Sequence, residues 1–315
     1  MSVTFTRPHI LLTQPVPEDT DRILNRDYVV HRLYQAADPS HLLEQEGSHI
    51  AGVVTGGAKG LSRDMMEKLP ALKIIAISGI GTDAVDLNYA AERGVWVTTT
   101  PGVLTDDVAD MAFGLLISTL RQMGEAEQVV RNGLWPQTSL PLSRKVSGIT
   151  LGIVGMGRVG QAIARRAEAF SMKVLYNSTR AVPDLDYRFI SDIHQLAREA
   201  DVLVLAASAD GGHVIITDAV LDALGRDGYF INVARGKLVD ENALLAALTE
   251  GRIAGAGLDV FAHEPHVPEG FLSLKNVTLQ PHRASATLQT RIAMGEMVLE
   301  NLAACFSGKQ PPHRV

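Results

Sequence analysis

Short apolar runs alternate with segments of helical periodicity along most of the chain. In the N-terminal part, HILLT (9–13), IAGVV (50–54), LKIIAIS (72–78) and VWVTT (95–99) read as buried strands. Asp64–Leu69 and Asp86–Arg93 read as helices between them. This alternation predicts parallel βα units, because two parallel strands can be joined only by a crossover connection.

A second, longer series opens near Leu151, where LGIVG, MKVLYN, DVLVLAA, GYFINV and AGLDV each lead into a helical pattern or a turn. Ser191 and Thr217 are the predicted caps of two of those helices, since a hydroxyl can accept a free N–H of the first turn. Between the two series, TDDVADMAFGLLISTLRQMGEAEQVVRNGLW predicts a long helix capped by Thr105, with Asp106 and Asp107 at its positive end. Val108, Met111, Ala112, Leu115 and Leu116 recur along it at helical spacing. A last helix is predicted over Thr287 to Phe306, and the conspicuous loops are 135–147 and 263–270.

A length of 315 residues suits about two domains. With 46% hydrophobic and 20% charged residues, a packed core is expected. The net charge of -6 argues against a nucleic-acid surface, which needs clustered Lys and Arg. The one cysteine, Cys305, has no partner for a disulfide and none at metal-ligand spacing; no metal site is expected. The N-terminal apolar run is short for a signal peptide, and no run reaches the ~18 apolar residues of a membrane span. A soluble, cytoplasmic protein without a membrane partner is the expectation.

LGIVGMGRVGQAIARR places Gly155, Gly157 and Gly160 between a strand and a helix. The first glycine permits a tight turn, the second lets a pyrophosphate approach the backbone, and the third lets helix and strand pack closely. The next strand ends at Asn177, 22 positions after Gly155, counting 155 to 177. An acid there would bind ribose hydroxyls and repel a 2′-phosphate. Here the run is Asn177, Ser178, Thr179, Arg180. Hydroxyls and a guanidinium suit phosphate oxygens, so the stretch predicts NADP in preference to NAD, against the plainer reading of a solvated loop.

Three later strand ends carry Arg235, Asp259 and His282, with Glu264 five residues after Asp259. Reduction of a 2-keto acid needs a cation for carboxylate and carbonyl oxygen, a role for Arg, and a proton donor, a role for His. A carboxylate beside the imidazole would orient it. Each residue alone also has a structural reading as an ion pair, a loop acid or a satisfied core histidine.

Taken in order, SGIGTDAVDL (78–87), TPGVLTDDVAD (100–110), GMGRVGQAIARR, NVARGKLVDE, GLDVFAHEP and PHRASAT resemble the D-2-hydroxyacid dehydrogenase family, more narrowly its NADPH-preferring glyoxylate/hydroxypyruvate reductases. The resemblance implies an α/β protein of two doubly wound parallel-sheet domains with an interdomain cleft. It implies a discontinuous substrate-binding, flavodoxin-like domain over 1–101 and 285–315, and a Rossmann domain over 102–284. It makes Arg235, Glu264 and His282 the catalytic set. Ile80, Gly81 and Ser285 would bind substrate. Arg158, Val159, Val233 and Asp259 would join Gly155, Gly157, Gly160 and the 177–180 segment around NADPH/NADP+. It further implies a homodimer, with the helix after Thr105 as part of the dimer arm. The plainer alternative for that helix's apolar stripe is ordinary intramolecular core.

The chain departs from the family pattern at three places. Arg283 and Ala284 follow the His, and the arginine suits a more anionic substrate or solvent. Residues 209–212 read Ala-Asp-Gly-Gly where relatives often carry Thr-Pro. Trp135 is present, but Thr138 stands where some glyoxylate reductases have a second tryptophan. Two alternatives to a glyoxylate/hydroxypyruvate reductase stay open: a related dehydrogenase for another 2-keto acid, and a nucleotide-sensing, corepressor-like binding protein.

Overall fold

The computed structural model describes residues 7–135, 137–209 and 212–315. It divides into two compact units, Met1–Leu104 with Ala286–Val315, and Thr105–Ser285. Gly102–Leu104 thus fall in the first unit and Ser285 in the second. Thr290 Oγ1 donates to the Val103 carbonyl at 3.2 Å, which ties that segment to the C-terminal helix.

In chain order the first unit contains β1 (His9–Leu12), α1 (Glu18–Asp27), β2 (Val29–Arg32), α2 (Pro39–Glu46), β3 (Ile50–Gly56), α3 (Arg63–Glu67), β4 (Ile74–Ser78), α4 (Leu87–Glu92) and β5 (Trp96–Thr98). The second contains α5 (Thr105–Leu120), α6 (Met123–Arg131), β6 (Thr150–Val154), α7 (Arg158–Ala169), β7 (Lys173–Asn177), β8 (Arg188–Phe189), α8 (Ile193–Glu199), β9 (Val202–Leu205), α9 (Asp218–Leu224), β10 (Tyr229–Asn232), α10 (Glu241–Thr249), β11 (Gly255–Leu258), α11 (Glu269–Leu272) and β12 (Val277–Leu279). The chain then returns to the first unit as α12 (Leu288–Phe306).

The first sheet has the order β2-β1-β3-β4-β5, with every pair parallel. Its two faces explain the continuous apolar runs. Leu11, Val53, Ile75 and Ile77 pack under Leu43 of α2 and Met66 of α3, while Ile10, Leu12, Val54 and Ile74 pack against Leu24 of α1 and Val298 and Leu302 of α12. A strand buried on both sides cannot alternate apolar with polar residues.

The second sheet, also parallel, has the order β12-β11-β10-β9-β6-β7-β8. The chain leaves β6 toward β7 and β8, then returns to β9 on its other side and runs outward to β12. That reversal is the switch point at which open α/β sheets bind ligands.

Several predicted boundaries move. The long helix breaks at Gln122, which takes a left-handed φ of 50°, so α5 and α6 are separate. Thr105 lies inside α5 and is not its cap. Asp192, not Ser191, caps α8, because its carboxylate accepts from His194 N at 3.0 Å. Thr217 precedes α9 without making a side-chain cap bond. The stripe on α5 buries Val108, Ala112, Leu115 and Leu116, and α5 packs on α7, β10, β11 and β12 of its own unit. Among the described residues, no helix is long and apolar enough to cross a membrane.

Candidate active site

The three glycines of the turn after β6 stand in different surroundings. Gly155 has a φ of 97°, and a Cβ there would sit 2.5 Å from the Ala207 backbone. A Cβ on Gly160 would stand 2.0 Å from the Gly155 carbonyl oxygen, so α7 packs directly on the turn. At Gly157 a Cβ would meet nothing within 4 Å. The open side lies at the N-terminus of α7, where Arg158 and Val159 begin the helix and unpaired N–H groups gather positive charge. A backbone cradle facing open space at a helix N-terminus fits a dinucleotide pyrophosphate.

At the end of β7, beside β6, Asn177 Nδ2 donates to the carbonyls of Ile190 at 2.8 Å and Ser191 at 3.0 Å. The missing acid therefore has a structural reason as well: a carboxylate could not donate to either carbonyl. Ser178 is half-buried, while Thr179 and Arg180 are exposed. The Tyr176 hydroxyl accepts from Val182 N at 3.0 Å and fixes the far side of this loop.

The sheet register aligns Leu205, Asn232, Leu258 and Leu279 across β9 to β12. Arg235, Asp259 and His282 each follow this row within three positions, at adjacent strand ends. Buried Asn232 shapes the first turn, because Ala234 N donates to its Oδ1 at 3.0 Å and its Nδ2 donates to the Arg235 carbonyl at 3.1 Å. A Cβ on Gly236 would lie 1.9 Å from the Phe261 carbonyl carbon, so the arginine turn rests on the backbone leading to Glu264. Buried Val233 donates its N–H to Leu205 at 3.3 Å.

Glu264 uses both oxygens, Oε1 accepting from Phe261 N at 3.0 Å and Oε2 lying 2.6 Å from His282 Nδ1. An ionised carboxylate can only accept, so Nδ1 carries the hydrogen and Nε2 is left to exchange a proton with a ligand. Burial by itself would raise the Glu264 carboxyl. The His282 hydrogen bond, the Phe261 N–H and the charges of His282 and Arg235 outweigh it and hold the carboxyl below its ordinary value. Arg235 also donates to the Ala234 carbonyl at 2.8 Å.

Asp259 is 1% exposed and turns inward. Its oxygens accept from Arg283 N at 2.9 Å and Ala284 N at 3.0 Å, and its carbonyl accepts from His282 N at 2.7 Å. Burial raises its carboxyl despite the two N–H groups. This clamp holds His282 at a left-handed φ of 48°, a conformation that non-glycine residues adopt mainly where surroundings enforce it. Ser285 follows, half-buried. Ile80 and Gly81 lie just beyond β4 in the first unit, and Ile80 is exposed. Asp210 and Gly211 of the atypical 209–212 stretch lie outside the described residues.

Residues 113–284 match the family described as D-isomer specific 2-hydroxyacid dehydrogenase, NAD binding domain. The chain belongs to this family. It is 42% identical to a glyoxylate/hydroxypyruvate reductase A of Arabidopsis thaliana, covering 95% of this chain and 96% of that protein. It is also 42% identical to a 2-ketogluconate reductase of Gluconobacter oxydans, covering 96% of this chain and 97% of that protein. Among solved structures, an NADPH-dependent glyoxylate/hydroxypyruvate reductase from Sinorhizobium meliloti, in complex with NADP and malonate, superimposes with a TM-score of 0.91 at 40% identity, covering 98% and 97% of the two chains. The protein is thus an oxidoreductase with an NAD(P)-binding domain, acting in a family whose named members use small 2-keto acids.

Two supporting residues of this candidate site, Asn232 and Glu241, are not among the candidates that the sequence singles out. Asn232 is a polar residue closing an apolar strand, a pattern that marks a buried group with a fixed partner. Glu241, at the start of α10, accepts from Ala262 N at 2.8 Å and braces the Glu264 loop; burial raises its carboxyl. Nothing in the spacing of Glu241 signals that contact, which spans 21 positions.

Proposed function

We propose that the protein reduces glyoxylate to glycolate and hydroxypyruvate to D-glycerate with NADPH. The observation that carries the reading is the 2.6 Å Glu264–His282 pair, with Arg235 on the neighbouring strand end. Arg235 binds the substrate carboxylate and polarises the keto oxygen. His282, oriented through Nδ1 by Glu264, delivers the proton to that oxygen from Nε2. A bound nicotinamide cofactor supplies the hydride to the keto carbon. Ser285, half-buried three positions after His282, adds a substrate hydrogen bond. Asp259, whose oxygens are taken by backbone N–H groups, acts on the reaction by positioning His282.

The preference for NADPH rests on a strand end without an acid and on the exposed Arg180 beside it. Arg158 and Val159, at the start of α7, would flank the pyrophosphate of a bound dinucleotide. A homodimer in the cytoplasm completes the reading, supported by Met123, Val130, Leu134 and Trp135, large apolar residues left exposed on α6 and the turn after it.

The equal identity to a 2-ketogluconate reductase favours a second reading, a longer sugar-derived 2-keto acid. Consumption of NADPH and of NADH is measured with glyoxylate, hydroxypyruvate and 2-ketogluconate in turn. Turnover highest with the two smaller acids supports the first reading. Turnover confined to 2-ketogluconate replaces it with the second. No turnover with any of them overturns both.

A further inference from the structure

The first unit carries a cluster of histidines that the reaction does not use. His9 opens β1, His31 lies on β2, Glu46 ends α2, and His49 stands immediately before β3. The register explains the meeting. Leu11 is opposite His31, and His9 is two positions before Leu11, so both imidazoles project from the face that Leu43 of α2 covers. Glu46 lies three positions after Leu43, one helical turn on, and so closes over the pair.

His9 Nδ1 is 3.0 Å from His31 Nε2, and Glu46 Oε2 is 3.9 Å from His31 Nε2 and 3.9 Å from His49 Nδ1. One donor atom from each of His9, His31 and Glu46 lies within 4.8 Å of the others. A tetrahedral zinc ion with bonds of about 2.0–2.1 Å holds its donors about 3.3 Å apart, a spacing that small rotations of these side chains reach. Without an ion, one imidazole N–H donates to the other ring; with one, both nitrogens turn their lone pairs to the metal.

We propose that His9, His31 and Glu46 bind one divalent transition-metal ion of the zinc class. Water or His49 fills the fourth position. The ion clips β1, β2 and α2 together. His9 begins its strand, whereas Ile80 and Gly81 follow the end of β4, so His9 and those residues lie at opposite ends of the parallel strands. Two nitrogens and a carboxylate suit zinc better than the hard cations magnesium and calcium, which prefer all-oxygen shells.

The test uses the full chain without a histidine tag, stripped by chelator and titrated with zinc chloride by calorimetry. One zinc per chain is expected, together with a rise in the melting temperature. Glu46→Gln and His9→Gln should each weaken binding at least tenfold. Cobalt substitution should give the visible absorption of a tetrahedral site, lost in the same variants. Glu46→Gln, at a partly exposed helix end, decides the matter if a histidine variant fails to fold. Absence of zinc uptake overturns the proposal. So does uptake of the same stoichiometry and affinity by Glu46→Gln and by His9→Gln, which would put the ion on other histidines.

Discussion

Glu264 and His282, 18 positions apart in the chain, meet at 2.6 Å through one carboxylate oxygen and Nδ1, while the other carboxylate oxygen is tied to the Phe261 backbone. The second bond fixes the acid, and the fixed acid sets which ring nitrogen carries the hydrogen. The His282→Gln variant should therefore lose kcat by about 10²–10⁴-fold, the usual contribution of a positioned acid–base group. Cofactor affinity, read by quenching of protein fluorescence, should stay unchanged. Retention of most of the wild-type kcat would remove His282 from proton transfer.

The same pair predicts a pH-dependent stability. The Glu264 carboxyl binds its proton less tightly in the folded chain than in the unfolded one, where its ordinary value is 4.5. Its stabilising contribution is therefore complete above 4.5 and disappears as pH falls below it through the lower folded value. Asp259 has the opposite sign, because burial raises its folded value above the ordinary 3.8, so acid relieves its cost. In urea unfolding, the gap in midpoint between wild type and Glu264→Gln should hold constant from neutrality down to the ordinary carboxylate range, then close. A gap that widens in acid would contradict this.

Arg180→Ala separates the two cofactors. A charge-assisted bond to phosphate is worth about 1.5–3 kcal/mol, which corresponds to about a ten- to hundredfold rise in KM for NADPH. KM for NADH should barely move. Parallel increases for both would show that the loop does not read the 2′-phosphate.

The glycine turn yields a contrast between two small substitutions. Gly160→Ala places a methyl 2.0 Å from the Gly155 oxygen and should lower stability and nucleotide binding together. Gly157→Ala meets open space and should leave the melting temperature near wild type while weakening NADPH binding. Thermal unfolding with and without nucleotide measures both. An undiminished nucleotide-induced rise in the melting temperature of Gly157→Ala would mean that the open side of Gly157 has no ligand to lose.

Much of this was legible in the chain where a local pattern carries the physics. Parallel strands buried on both faces show as unbroken apolar runs, and a phosphate turn needs glycines at set intervals. Edges and polar helices were not legible. β2 reads VVHR and is half-buried along its length, α1 has a strongly polar sequence, and β8 spans two residues, so none produced a run. Arg235, Glu264 and His282 were visible as candidates because each stands near an apolar strand end. The supports behind them were not. The bond from Arg283 to Asp259 crosses 24 positions, and the inward turn of that carboxylate depends on a left-handed residue that no spacing announces. Likewise, Asn177 looked like the absence of an acid, whereas its amide is a donor to two carbonyls.

Asn232, Asp259 and Glu241 each hold a turn of the second unit through backbone N–H groups. Hydrogen bonds to main chain are indifferent to the side chains that line a binding pocket. The proton-handling apparatus is therefore insulated from changes in what it acts upon. A change of the Arg283 side chain leaves the backbone N–H that Asp259 accepts, and with it the placement of the imidazole, in place. Side chains around the imidazole are free to vary while the main-chain bonds that place it stay the same.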